Sequence, residues 1–230
     1  MIIVLLASLL TGFILTYTVI PSIVALSRTK KLFDYPDERK LNKVVVPTMG
    51  GVGIFIGLTV SSILFIQPGS AGELRYLLLG VIVMFFIGIK DDMLAIPAKT
   101  KLILQIIIGL ILVLLGDFCI TRPYGLFNAE LFCKGISIPL SVLIFVFLIN
   151  ALNLIDGIDG LAAGIALTAA LFLGTWFFLA GDINYAVACM ALAGSLIAFL
   201  RFNVSGGKNK IFMGDTGSLL LGIFLAAMVI

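Results

Sequence analysis

Apolar residues run along this chain in stretches of about twenty, the length a helix needs to cross a hydrocarbon core about 30 Å thick. Short polar segments between them carry nearly all of the charge. The pattern predicts eight spans near 2–22, 48–67, 74–89, 102–116, 137–152, 161–180, 185–200 and 216–230. A membrane β-barrel would show short alternating segments instead, so the expected fold is an all-α, polytopic membrane helix bundle. A longer loop with Asp117, Arg122, Pro123, Tyr124 and Glu130 separates the fourth and fifth spans, and a tight turn at Gly181-Asp182-Ile183-Asn184 separates the sixth and seventh. No second domain, low-complexity segment or internal repeat stands out, and 1–230 reads as one transmembrane domain. The first run has neither a basic leader nor a small-residue cleavage site, so it is expected to stay as a helix.

Composition agrees: 61% of residues are hydrophobic and 12% charged, about half the charge of a soluble domain. The net charge of +3 is no footprint for nucleic acid, but its placement is informative. The segments 28–47, 90–101, 153–160 and 201–214 fall on one side of the predicted bundle. They hold Arg28, Lys30, Lys31, Arg39, Lys40, Lys43, Lys90, Lys99, Lys101, Arg201, Lys208 and Lys210, against Arg75, Arg122 and Lys134 on the other. The positive-inside rule then places the first side in the cytoplasm and the N-terminus outside. The chain has no histidine, which excludes an imidazole base or ligand. Cys119, Cys133 and Cys189 lack metal-ligand spacing; a Cys119–Cys133 pair in an oxidising loop stays open.

Carboxylates at a membrane edge are costly and point to function. Four groups stand on the expected cytoplasmic side: Lys90-Asp91-Asp92 with Lys99 and Lys101; Asn150 to Gly160 with Asn153, Asp156 and Asp159; Phe212 to Ser218 with Asp215; and Asp34 to Gly51, ending in Pro47-Thr48-Met49-Gly50-Gly51. Carboxylate and amide oxygens suit a hard divalent cation, which takes one or two protein oxygens plus substrate phosphates. Neighbouring lysines offset phosphate charge, and glycines let backbone approach a ligand. Each group alone has a plainer explanation: Asp-Asp as a helix cap, Gly-Asp-Thr-Gly as a turn, Gly50-Gly51-Val52-Gly53 as close helix packing, the basic first loop as a lipid anchor. Their gathering on one side favours a phosphoryl-transfer site.

In the segments "DYPDERKLNKVVVPTMGG", "IKDDMLAIPAKTKL", "NALNLIDGIDGLAAG" and "KIFMGDTGSLLLG", the chain resembles the polyprenyl-phosphate N-acetylhexosamine-1-phosphate transferases, glycosyltransferase family 4, which includes the phospho-MurNAc-pentapeptide translocase. The resemblance implies transfer of a sugar-1-phosphate from a UDP-N-acetylhexosamine to undecaprenyl phosphate with release of UMP, in the bacterial inner membrane and with Mg²⁺ (or Mn²⁺) as cofactor. It implies Asp215 and Asn153 as metal ligands and Asp159 and Asn203 at the uridine. Lys101, helped by Lys99, would meet phosphate, and Asn150 would contact substrate. Asp91, Asp92 and Asp156 would order the acceptor phosphate, the metal's waters and the loop. A homodimer is compatible with it. Within the family, the Asp-Glu-Arg-Lys loop and "NLIDGIDGLAAG" look closer to the branch using UDP-GlcNAc or a related UDP-N-acetylhexosamine, which starts O-antigen, common-antigen or teichoic-acid synthesis, while Pro47-Thr48-Met49-Gly50-Gly51 looks equally like the peptidoglycan branch.

Two departures accompany the likeness. Asn42 stands where family members usually carry a histidine. The family also continues past Ile230 with further spans and a histidine-containing basic loop, so 230 residues alone are expected to bind UDP-sugar weakly and turn over poorly. Two other classes remain open: a transporter, which predicts charges at mid-span, and a catalytically idle membrane protein of the same fold.

Overall fold

The computed structural model describes residues 1–30, 32–34, 46–67, 72–121, 134–205 and 207–230. Among these residues it is a bundle of eight helices: α1 Ile2–Thr29, α2 Gly50–Phe65, α3 Leu74–Leu94, α4 Ala98–Leu115, α5 Lys134–Ile155, α6 Leu161–Ala180, α7 Ile183–Val204 and α8 Gly214–Val229. Two short strands, β1 Phe33–Asp34 and β2 Val46–Pro47, pair antiparallel with Phe33 opposite Pro47. Five helices (α1, α4, α5, α6 and α7) are long and apolar enough to cross a membrane, and α2 and α8 are shorter apolar helices. The chain is a multi-pass membrane helix bundle.

The eight predicted spans match the eight helices in order, with one systematic difference. Several helices run past their apolar stretch into the polar segments expected to be loops. Thus Lys90, Asp91 and Asp92 lie in the last turns of α3, Lys99 and Lys101 in the first turn of α4, Asn153 at the end of α5, Arg201 and Asn203 at the end of α7, and Asp215 within α8 rather than before it. Hydropathy marks where lipid begins, whereas helical hydrogen bonding continues until a breaker such as Gly157 or Pro97 intervenes. The turn between α6 and α7 shrinks to Gly181 and Asp182 because Gly181 takes φ +93° and ends α6. Cys119 is a free thiol that meets the Ser137 hydroxyl at 2.9 Å. The suggested partner Cys133 lies outside the described residues, as do Lys31, Asp37 to Lys43, Arg122, Pro123, Tyr124 and Glu130.

Small residues set the helix packing, as lipid offers no hydrophobic drive between apolar helices. α1 lies against α7 and α2 along a seam where Ser8 donates to the Val187 carbonyl (2.8 Å), Ser61 to the Ser8 carbonyl (2.7 Å) and Thr16 to the Gly53 carbonyl (3.0 Å). α8 is the central helix, buried without a break from Thr216 to Met228. α2, α3 and α5 reach it through glycine contacts: Gly51 against Gly217, Gly88 against Thr216, and Gly222 of α8 itself against Ile149.

Candidate active site

The N-terminus of α8 is the point on which the polar end of the bundle converges. The segment leading into it is gripped by backbone: the Gly50 and Gly51 amides donate to the Phe212 and Met213 carbonyls (2.8 and 2.9 Å), and the Phe212 amide donates to the Pro47 carbonyl (2.9 Å). The Pro47–Gly51 run therefore acts as a cradle for α8, and its glycines serve close packing. Asp92, on α3, caps α8 from outside. Its carboxylate accepts the Asp215 amide (2.8 Å), the Thr216 amide (3.0 Å) and the Thr216 hydroxyl (2.5 Å). This is the capping role foreseen for an Asp-Asp pair, played on a neighbouring helix where the dipole favours negative charge.

Asp215, in the first turn of α8, is held from two further helices. Lys101 of α4 bridges Asp91 (2.7 Å) and Asp215 (3.1 Å), and the Asn153 amide of α5 donates to the other Asp215 oxygen and to the Ser218 hydroxyl, the latter at 2.8 Å. Asp91 also accepts the Ile96 amide at 2.6 Å, which fixes the α3–α4 turn. Asp156, in the loop after α5, completes the group. Its burial, with Asp215 and Asp92 as like-charged neighbours, pushes its carboxyl up to about 8 against a hydrogen bond from the Gly214 amide. The cluster thus sets four carboxyl groups against one ammonium.

A second group lies beside it. Lys210 pairs with Asp159 at 2.6 Å, while buried Asn203 accepts the Gly160 amide (2.7 Å) and donates to the Ile211 carbonyl (3.0 Å). Asn203 so ties the α5–α6 loop to the segment entering α8. Of the expected site residues, Asp91, Asp92, Lys101, Asn153, Asp156 and Asp215 come together in the first group and Asp159 and Asn203 in the second. Lys99 is exposed and stays outside both. Asn150 faces Gln105 of α4. Thr216 and Ser218 were named from sequence only as members of the Phe212–Ser218 group, and Lys210 only among the basic residues. Gln105 was missed, although a polar side chain inside an otherwise apolar span is a usable signal.

Hard oxygen donors are what the cluster offers: the Asp215 and Asp156 carboxylates and the Asn153 amide oxygen. Among the described residues no three acidic or sulfur side chains are arranged to close around a metal ion. Carboxylate and amide oxygens are the ligands that a hard divalent cation takes.

The chain is similar to known proteins over most of its length. The sequence model of glycosyl transferase family 4 matches residues 74–230. The chain is 33% identical over 225 residues to a "Probable undecaprenyl-phosphate N-acetylglucosaminyl 1-phosphate transferase" of Bacillus subtilis (strain 168), covering 96% of this chain and 60% of that protein. It is 34% identical over 236 residues to a "Decaprenyl-phosphate N-acetylglucosaminephosphotransferase" of Mycobacterium tuberculosis (strain CDC 1551 / Oshkosh), with 95% and 58% covered. Against a "Phospho-N-acetylmuramoyl-pentapeptide-transferase" of Clostridium perfringens (strain SM101 / Type A) it is 34% identical over 229 residues, with 94% and 69% covered. The chain thus spans about three fifths of the length of the first two relatives. With the family's sequence model matching from α3 to the end of α8, the chain belongs to glycosyl transferase family 4.

Proposed function

We propose that the protein transfers N-acetylhexosamine-1-phosphate, with GlcNAc as the sugar, from a UDP-sugar to undecaprenyl phosphate. The observation that carries this reading is the convergence of Lys101 and Asn153, from two different helices, on Asp215 at the N-terminus of a buried third helix. Helix N-termini favour anions, and a lysine there offsets phosphate charge. The names of two relatives supply the substrate class: one is called an undecaprenyl-phosphate N-acetylglucosaminyl 1-phosphate transferase, the other a decaprenyl-phosphate N-acetylglucosaminephosphotransferase.

In the reaction an oxygen of the acceptor phosphate attacks the donor phosphorus that bears the sugar. A new phosphoanhydride forms, and the old one breaks with its bridging oxygen leaving on UMP. A phosphate monoester with a second pKa near 6 is largely ionised at neutral pH, so the nucleophile needs no strong base and the absence of histidine is no obstacle. The protein's task is positioning and charge neutralisation. Lys101 contacts a phosphate, and Asp91 holds the Lys101 ammonium in place. Asp92 holds the start of α8, and with it Asp215. Asp159 helps hold the uridine, and Asn203 fixes the neighbouring backbone through Gly160. Asp215 and Asn153, with Asp156 beside them, would hold Mg²⁺, which supplies charge neutralisation on the donor pyrophosphate. The basic residues at this end of the bundle support its facing the cytoplasm.

The test is UMP release in membranes holding the protein, given UDP-GlcNAc and undecaprenyl phosphate, with Asp215→Ala as control. Release that needs metal, lipid acceptor and Asp215 supports the reading. Release that survives Asp215→Ala, or that needs no acceptor, overturns it.

A further inference from the structure

Gln105 is the one polar side chain in the stretch of α4 from Leu102 to Leu115, and it is 0% exposed. Its amide meets that of Asn150 on α5 head to head. Asn150 Nδ2 donates to Gln105 Oε1 at 2.7 Å, and Gln105 Nε2 makes a longer return bond to Asn150 Oδ1 at 3.4 Å. Asn150 Nδ2 also donates to the Val146 carbonyl, one turn back on its own helix, at 2.7 Å. A buried amide left without a partner is costly, so this pair favours one rotational setting of α4 on α5.

The spacing along each helix connects that setting to the site. Lys101 lies four residues before Gln105 and Asn153 three residues after Asn150, so each shares a helix face with a member of the amide pair. One turn nearer the polar end, Lys101 and Asn153 meet the two oxygens of Asp215. We infer that Gln105 and Asn150 form a positioning clamp which sets Lys101 and Asn153 on Asp215. The inference rests on the transferase reading of that site. Neither amide is a catalytic residue here; both act through their neighbours.

A direct substrate contact by Asn150, the role implied by the family resemblance, differs from a clamp in one respect. The contact depends on Asn150 alone, whereas the clamp depends on the pair. The test uses the full-length protein in lipid nanodiscs and four variants: Gln105→Leu, Asn150→Leu, the double Leu variant, and the exchange Gln105→Asn with Asn150→Gln. The exchange keeps an amide pair of the same combined length. The double Leu variant places two apolar side chains of similar size in an apolar setting and keeps a folded comparison available. Two readouts are needed: kcat and KM for UDP-GlcNAc in UMP release, and the rate at which Lys101 is acylated by an amine-reactive reagent, followed by mass spectrometry.

Each Leu variant is expected to lower kcat by about tenfold, the order set by one lost buried hydrogen bond. Donor KM should change by less than about threefold, and acylation of Lys101 should quicken several-fold as the ammonium loosens from Asp91 and Asp215. The exchange should bring both readouts back to near their native values. An exchange variant as slow as Asn150→Leu, with native Lys101 labelling, overturns the inference in favour of direct contact. Leu variants with native kcat and native labelling overturn it as well. Should the native protein turn over no UDP-N-acetylhexosamine, the transferase reading fails while Lys101 labelling still decides the clamp.

Discussion

Gly88 is the spacer that lets α3 touch the start of α8, and Gly88→Ala tests how tightly the site depends on that contact. A Cβ at position 88 would run into Thr216 Cα and would lie 2.7 Å from both the Asp215 carbonyl oxygen and the Thr216 nitrogen. All three are backbone atoms of a buried helix, so none can swing aside. Ordinary contact begins at 3.4 Å, and clearing the nearest of the three, Thr216 Cα, requires α3 to retreat by about 1 Å. Asp92 stands one turn further along the same face of α3. The same retreat stretches its 2.8 and 3.0 Å bonds to the Asp215 and Thr216 amides beyond useful length. Overpacking costs about 1–3 kcal/mol, and hydrogen bonds to a charged group are worth about 1.5–3 kcal/mol each. Partial relaxation leaves a net loss of about 3 kcal/mol, which for a chain of this size lowers the thermal midpoint by roughly 6–12 °C. Gly109→Ala is the matched control, since its Cβ would sit at an ordinary 3.5 Å from Phe145 and Val142. Thermal unfolding in detergent, read by intrinsic fluorescence, measures both. A Gly88→Ala protein within 2 °C of native, or one no worse than Gly109→Ala, would falsify the close-approach argument.

The remaining predictions concern charge and loops. Lys101→Ala leaves Asp91 and Asp215 facing each other unscreened and should lower UMP release by at least about 100-fold, with Lys101→Arg recovering part of it; equal rates for the two variants would count against ion pairing at this position. Asp156, whose folded carboxyl titrates near 8 against an ordinary 3.8, contributes stability that is complete below pH 4 and is lost as pH rises through about 8. Thermal scans of metal-free protein between pH 5 and 9 should therefore fall, and Asp156→Asn should flatten them; parallel slopes would exclude Asp156 as the source. Asn203→Leu removes both backbone ties at once and should raise donor KM about tenfold while leaving acceptor KM alone; unchanged donor KM in steady-state assays would separate Asn203 from the nucleotide side. Chelation of divalent cations should abolish turnover and Mg²⁺ should restore it; full activity in excess chelator would rule out a metal-dependent reaction.

The bundle was legible in the sequence because lipid imposes one rule on every span. Backbone groups must be satisfied within the segment, so apolar length translates almost directly into a helix. Hence the sixth span and α6 coincide at 161–180. Helix ends were harder, since residues such as Lys101 and Asn153 continue a helix into water, where hydropathy no longer reports on it. The gathering of polar residues at one end of the bundle was legible for a related reason: carboxylates and amides are scarce in a chain that is 12% charged, so the scarce residues draw attention to themselves. Their partners were not legible. Asp92 caps a helix 123 residues away in sequence, and no local pattern at Lys90-Asp91-Asp92 distinguishes that from capping its own neighbour. Gln105 shows the converse case, where a lone polar residue in an apolar span is conspicuous but nothing local names Asn150 as its complement on another helix.

The pairing of α1 with α7 has a consequence for how the protein is made. Ser8 donates to a carbonyl 179 residues later, and ribosomes add roughly 5–20 residues per second. The first helix therefore enters the bilayer about ten to forty seconds before the surface that receives it exists. During that interval its Ser8, Gly12 and Thr16 stripe faces lipid, or faces α2 alone. α8, with the Asp215 carboxylate at its head, arrives later still. Assembly is thus ordered from the periphery inward: the helix that organises the site is the last of the eight to be synthesised, and the cradle of Pro47 to Gly51 must wait for it. A bundle wired in this way is most exposed to misassembly before its centre is filled.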